Sequence, residues 1–290
     1  MKNARRTAAK RAFGNNQQYK GQRDWFSAGL QRNKIMNRIS LLLLLSFVAL
    51  CLQAQDVENA EPLSVAADRP GMATGVGVLP FKTIQWETGF QWDYADRQHS
   101  FTLPTTMLRF GVAPFAELRL EYDGTLYSDA KWQYQVEPLI LGTKIRVFDG
   151  WKAVPKISFL ANIAIPITKE AFQNSHVAPS LYLLFENDVT DWLNLCYNLG
   201  AEWNGVDATP STFLALCLGF TINDQWGAFV ESFNYFTRLS THTEADWNLD
   251  AGFTYMPHHR VQLDVYASIN CQDPAMYSNV GLGVAWLINP

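Results

Sequence analysis

Apolar and polar side chains alternate with a period of two over most of this sequence after residue 80. Between positions 84 and 94 the even residues are apolar or aromatic, with one threonine, whereas the odd residues are polar or glycine. Adjacent side chains of a β-strand point to opposite faces, so the pattern predicts a strand with one apolar and one polar face. It recurs at 117–123, 156–167, 193–202, 247–255, 260–269 and 280–286.

This alternation predicts twelve strands, and no segment shows a convincing helical period. The strands are expected at 81–94, 101–112, 115–127, 133–147, 154–167, 177–187, 191–203, 211–222, 225–236, 246–256, 259–270 and 278–288. Every second connection between them is short. Short turns at one end and longer loops at the other are typical of an outer-membrane barrel.

Two all-β architectures fit alternating antiparallel strands. A soluble sandwich or barrel packs its apolar face into a core, whereas a transmembrane barrel turns that face toward lipid. The predicted strands span ~10–14 residues against ~5–6 in ordinary sheets. Trp and Tyr also crowd the strand ends, as interfacial belts require. We therefore expect a 12-stranded antiparallel up-and-down transmembrane β-barrel of outer-membrane type, with a soluble secreted sandwich as the alternative.

The first 54 residues read as a targeting region. They carry ten basic residues and one acid, while the rest of the chain carries 13 basic and 26 acidic residues. A basic start, an apolar run at 39–52 and a small residue at Ala54 predict a signal peptide at 36–54, cleaved before Gln55. Residues 1–35 would be a start-site artefact or a basic leader. The alternative is a single membrane anchor, for which the run is short against the ~20 residues required.

The start of the mature domain resembles a known family. Its sequence is similar to the "DRP … QIETGF" opening of a bacterial outer-membrane family catalogued as MetA-pathway phenol-degradation proteins, often named simply transporters. The matching segments are Ala67-Asp68-Arg69-Pro70-Gly71, 82–90, 105–111, 117–119, 141–144 and 227–231. The resemblance covers residues 67 to about 288. It implies a twelve-stranded barrel in the outer membrane of a Gram-negative-type cell, and passage of small molecules, apolar or aromatic ones among them.

Charged residues on the polar parity of the strands define a candidate lumen. A charge at the bilayer midplane costs ~2–4 kcal/mol on the lipid face, so these side chains are expected to point inward. They are Glu87, Arg109, Arg119, Glu121, Lys144, Arg146, Lys156, Glu186, Glu202, Glu231, Asp250, Arg260 and Asp264. They either form a lining that selects solutes by charge or a ladder of ion pairs that fills a narrow barrel.

Residues 55–80 precede the barrel proper, which is expected at 81–290. The stretch 56–80 is too polar and glycine-rich for a strand. It would either plug the lumen or hang in the periplasm as a linker. The family resemblance at Asp68, Arg69 and Pro70 favours the plug.

The sequence offers little for catalysis, metals or cofactors. It contains no phosphate-binding loop, dinucleotide fingerprint or zinc-protease motif, and we expect no catalytic residue, no metal and no cofactor. Cys196, Cys217 and Cys271 match no disulfide or zinc pattern. Adjacent His258 and His259 would point to opposite faces of a strand, which makes a poor chelate.

An outer-membrane hydrolase of the phospholipase type is the enzymatic alternative. Its His–Ser pair needs a base within ~3 Å of the nucleophile. His176 with Ser175 or Ser180, and His242 with Ser240, are the loop candidates.

The favoured function is passive passage of small solutes through an outer-membrane barrel. A non-conducting structural or binding barrel is a further alternative. The expected partners are outer-membrane lipid, a small-molecule solute and the barrel insertion machinery. The chain is not strongly basic, with a net charge of -4, so nucleic acid is excluded as an expected partner.

Overall fold

The computed structural model describes residues 63–95, 98–129, 131–167, 176–206, 209–238, 242–274 and 277–288. The predicted leader at 1–35 and signal peptide at 36–54 lie outside these residues. In the described part no helix is long and apolar enough to cross a membrane. The strands are β1 Ile84–Ala95, β2 Gln98–Ala113, β3 Ala116–Asp129, β4 Lys131–Val136, β5 Leu139–Phe148, β6 Lys156–Ile165, β7 Ala178–Thr190, β8 Leu193–Glu202, β9 Ser211–Thr221, β10 Trp226–Arg238, β11 Thr243–His258, β12 Val261–Asn270 and β13 Tyr277–Leu287.

The strands form one closed antiparallel sheet. Neighbours in sequence pair in hairpins except β4 and β5, and β1 pairs with β13 as well as with β2. Strand β3 is shared, because β5 pairs with its residues 116–121 and β4 with its residues 124–129. Hence β4 and β5 together fill one position, and the barrel has the twelve positions that the alternation predicts. The predicted strand at 133–147 is interrupted at Pro138, which has no N–H for the ladder.

The apolar face of the sheet points outward. On β11, Trp247 and Leu249 are each 45% exposed, whereas their neighbours Asn248 and Asp250 are 1% and 4% exposed. The same alternation runs through β12 and β13. A soluble barrel would place its apolar side chains in the core. The polar interior confirms the predicted transmembrane type of barrel over the soluble sandwich.

The two ends of the barrel differ in their connections. One end, called here the short-turn end, carries the connections at 114–115, 149–155, 191–192, 222–225 and 259–260. The opposite end is called the long-loop end. Exposed tryptophans lie near both: Trp86, Trp151, Trp192, Trp226 and Trp286 at the first, and Trp92, Trp132 and Trp247 at the second. Two such belts are typical of proteins that meet both membrane–water interfaces.

Candidate functional site

Residues 63–80, called here the inner segment, run through the interior of the barrel. Irregular backbone inside a protein needs polar partners, and the inward side chains of the wall supply them. The inner segment bonds to side chains of eight strands, β1, β2, β3, β5, β6, β8, β10 and β12. Because these strands surround the lumen, the segment lies across it.

Individual bonds show how the wall holds the backbone of the inner segment. The peptide N–H groups of Met72 and Ala73 donate to Glu231 Oε1 at 3.0 and 2.9 Å. On another wall, Leu79 N–H donates to Glu117 Oε2 at 2.8 Å. These contacts place partners of the segment on β10 and β3.

Both ends of the inner segment lie at the short-turn end. The peptide N–H of Val65 donates to the carbonyl oxygen of His259 at 2.7 Å, in the turn between β11 and β12. Past the segment, Lys82 N–H donates to the carbonyl of Gly111 at 2.8 Å, near the turn between β2 and β3. The segment therefore enters the barrel, turns inside it and leaves by the same opening.

Three cations converge on the carboxylate of Asp68. Its Oδ2 lies 2.7 Å from Lys144 Nζ, 2.9 Å from Arg119 Nη1 and 3.5 Å from Arg109 Nη1. All four side chains are at most 6% exposed. Burial by itself raises the pKa of the Asp68 carboxyl, but the charges of Arg109, Lys144 and Arg119 outweigh it and lower the pKa to about 2. Asp68 is therefore ionised at neutral pH.

Two wall carboxylates complete this group. Arg109 binds Glu117 in a bidentate pair, with Nε and Nη2 at 2.9 and 2.8 Å from its two oxygens, and places Nη1 3.0 Å from Glu87 Oε1. Three acids then balance three bases, which buried charges require. We call this group the Asp68 cluster: Asp68, Glu87, Arg109, Glu117, Arg119 and Lys144.

Arg69 is held by β1, β2, β12 and β13, beside the Asp68 cluster. Its Nε lies 3.1 Å from Asp264 Oδ2, and its Nη1 donates to Thr105 Oγ1 at 3.0 Å. The guanidinium lies against two glycines. A Cβ at Gly89 or Gly283 would come within 2.6 or 2.4 Å of Arg69 Nη2. Bare backbone at these two positions makes the slot that Arg69 fills.

Cavities lie on both sides of the inner segment. One of about 330 Å³ is bounded mainly by β8–β11 near the short-turn end, with Phe229 and Met256 in its wall. Another of about 240 Å³ is bounded mainly by β1–β3. Residues 68–71 line both. The middle of the inner segment therefore separates the two spaces.

The predicted lumen residues take different environments. Glu87, Arg109, Arg119, Lys144, Glu231, Asp250 and Asp264 are buried. Glu121, Lys156, Glu186, Glu202 and Arg260 are partly exposed. Arg146 is exposed, lies near the short-turn end and pairs with Asp149 at 3.0 Å, so it is not brought together with the others. Whether these residues select solutes stays a prediction.

Several interior residues were not among the predicted lumen residues. Gln85, Glu117, Ser158 and Asn198 hold the inner segment, and Asp93, Asp123 and Glu137 line the lumen above it. All but Glu137 lie in the alternating strands on the polar parity, which was the available signal. Glu137 lies at the break between β4 and β5, where the parity is interrupted.

Of the two candidate histidines for a hydrolase, the structure gives a hydrogen-bond partner for His176. His176 Nδ1 lies 3.2 Å from the carbonyl oxygen of Gly205, in an exposed position. Ser175 and Ser240 lie outside the described residues. The hydrolase alternative stays a prediction.

The rings of the adjacent residues His258 and His259 stand 4.0 Å apart.

Comparisons with known proteins agree with this architecture. A family model described as "Putative MetA-pathway of phenol degradation" matches residues 67–288. An outer membrane channel from Pseudomonas putida F1 is similar with a TM-score of 0.58 and 10% identity, over 76% of this chain and 99% of that chain. The NanC porin is similar with a TM-score of 0.51 and 8% identity, over 69% of this chain and 98% of that chain. A comparison with curated protein sequences gives no significant match.

Proposed function

The chain belongs to the family described as MetA-pathway of phenol degradation, and from this membership we propose that it is a passive outer-membrane channel. Its solutes are small molecules, apolar or aromatic ones among them. The family match covers the whole barrel together with the inner segment, from residue 67 to 288. This coverage supports a single function for the barrel and the inner segment together.

The observation that carries the proposal is the partition at residues 68–71. A cavity near the short-turn end and a second one along β1–β3 meet at these four residues. A barrel that served only as a scaffold would need no such spaces on both sides of a buried segment. The inner segment is then a plug that restricts the pore, and solutes pass when it shifts.

The walls of the larger cavity support aromatic or apolar solutes. Phe229 and Met256 contribute apolar surface there, beside Gly219 and Gly227, which add no side chain to the wall. Apolar walls with a few polar groups are typical of sites for small organic molecules.

The outer surface supports a place in the outer membrane. Leu282 and Phe253 are more than half exposed, and the two tryptophan belts lie near the ends of the barrel. A closed barrel is also one of two structures that satisfy all backbone groups in lipid. Outer-membrane lipid and the barrel insertion machinery are the partners that this placement implies.

Liposome swelling with the purified full-length barrel tests the proposal. We expect swelling with small neutral aromatic solutes, and faster swelling for Asp68→Asn because three cations lose their shared anion. Asp149→Asn is the matched control, since it removes an exposed carboxylate whose partner is Arg146 at the rim. Absence of swelling in the wild type and in Asp68→Asn would refute a channel. Equal rates for both variants would refute the role of the plug.

A further inference from the structure

The two halves of the lumen differ in charge. The inward basic side chains that have a carboxylate partner lie in the middle of the barrel or toward the short-turn end, and they are Arg69, Arg109, Arg119, Lys144 and Lys156. Toward the long-loop end, called here the outer half, the inward charged side chains that the structure describes are all acids. They are Asp93, Glu121, Asp123, Glu137, Glu202, Asp246 and Asp250.

The carboxylates of the outer half are mostly held by neutral donors. Asp123 accepts from the peptide N–H of Thr106 at 2.8 Å, and Glu137 accepts from the hydroxyl of Thr125 at 3.0 Å. Neither has a basic group within 4.0 Å among the described residues, and the nearest guanidinium, that of Arg69, borders a second cavity together with Asp123. They share one cavity of about 240 Å³ with Glu121, whose nearest cation is 3.4 Å away. Like charges that line one cavity repel each other, and a cation between them offsets that repulsion.

A second observation points to a missing donor. The amide oxygen of Asn279 is buried and accepts no hydrogen bond from the part of the chain described, and the buried carboxylate of Asp250 has the hydroxyl of Ser268 as its nearest donor there. The two residues are 4% and 5% exposed and are linked across β12 by Ser268, which pairs with each of them in register. Buried acceptors without donors are costly. Three acceptors in one row suit a ligand that brings N–H donors and positive charge.

Aromatic rings cluster on the inward side of β7, β9, β10 and β13. Phe213 contacts Tyr182 edge-on with ring centroids 5.8 Å apart, and its centroid is 5.2 Å from that of Tyr235. Tyr277 and Phe233 pack against this group. Aromatic faces attract cations and also cover apolar surface. Within the described residues no three His, Cys, Asp or Glu side chains come together as a metal site. The charge is spread, which suits a bulky monovalent cation.

We propose that the outer half of the lumen selects organic cations, namely protonated amines that carry an aromatic or apolar body. The carboxylates along β1–β4 attract the ammonium group, the oxygens of Asp250 and Asn279 accept its N–H bonds, and the rings around Phe213 cover its body. This inference rests on the proposed channel function and names the class of solute that the channel favours.

Charge selectivity is measured first, as the reversal potential of single channels across a planar bilayer under a KCl gradient. We expect preference for potassium over chloride. The double variant Asp123→Asn/Glu137→Gln should reduce the ratio of potassium to chloride permeability by about twofold for each charge removed. This is the effect of a unit charge at about 8 Å from the permeating ion in water. Asp149→Asn/Asp224→Asn removes two exposed charges near the short-turn end and should leave the ratio within about 20% of the wild type.

Solute class is measured by liposome swelling with three molecules that share one aromatic body: phenethylammonium, 2-phenylethanol and phenylacetate. The cation should enter fastest and the anion slowest, and Asp250→Asn should reduce the lead of the cation. Equal entry of all three, or anion preference in the bilayer, would overturn the inference and leave the channel intact. No entry of any of them, and no conductance, would overturn the channel function itself and the inference with it.

Discussion

Arg109 and Glu117 face each other across the turn between β2 and β3 in a bidentate pair without solvent exposure. Nε and Nη2 of the arginine lie 2.9 and 2.8 Å from the two carboxylate oxygens. The same arginine reaches Glu87 and Asp68, and Glu117 also accepts from Leu79 of the inner segment. One pair of wall residues thus joins the barrel to the segment inside it.

Removal of Arg109 should destabilise the barrel strongly. Arg109→Ala leaves Glu87 and Glu117 as buried charges without their main partner, which costs about 3–5 kcal/mol of unfolding free energy. Urea unfolding of the barrel in detergent micelles measures this. Arg146→Ala breaks only the exposed pair with Asp149 and should cost about 0–1 kcal/mol. Equal stability of the two variants would show that the Asp68 cluster contributes nothing.

A methyl group at Gly283, one of the two glycines against which Arg69 lies, should release Arg69. Gly283→Ala places a carbon within 2.4 Å of Arg69 Nη2, so the guanidinium leaves Asp264 and the plug loosens. We expect higher single-channel conductance, as for Arg69→Ala, with the barrel still folded by heat-modifiable electrophoresis. Gly77→Ala is the control, because a Cβ there meets no atom within 4 Å. Wild-type conductance in Gly283→Ala would contradict the assigned contact.

Acid should release the inner segment only at low pH. The pKa of Asp68 is lowered from 3.8 to about 2, so its ion pairs stabilise the inserted segment fully above about pH 4. This stabilisation is lost as pH falls through about 2. Proteolysis near residues 63–75 by pepsin, compared at pH 2 and pH 4, should show cleavage mainly at pH 2. Asp68→Asn should be cleaved at both; equal protection of wild type and variant would contradict the expectation.

The membrane orientation can be read with a natural cysteine. Cys271 is exposed at the long-loop end, which we expect to face the cell exterior as in other outer-membrane barrels. A membrane-impermeant maleimide should label it on intact cells. Cys271→Ser should abolish labelling, and Asn223→Cys in that background should react only after lysis, because residue 223 lies at the short-turn end. The reverse pattern would invert the topology.

The sequence predicts the strands of the barrel wall better than it predicts the contacts of the inner segment with that wall. The alternation predicted all twelve strand positions, because outward residues such as Trp86 and inward residues such as Glu87 differ in polarity along the strands. It could not show that Asp68 meets Lys144, since that contact joins residues 76 apart through side chains alone. The alternation did not identify Glu137 as an inward residue, because Glu137 lies between β4 and β5, where the alternation is interrupted.

The partners of Arg69 straddle the junction between the first and the last strand. Thr105 and Gly89 belong to β2 and β1, whereas Asp264 and Gly283 belong to β12 and β13. These two pairs of strands are assembled from opposite ends of the chain, and their meeting is a long-range step in folding. The complete binding site of Arg69 therefore exists only after β1 has met β13. Docking of Arg69 therefore follows the pairing of β1 with β13, and a docked inner segment reports that the barrel has closed.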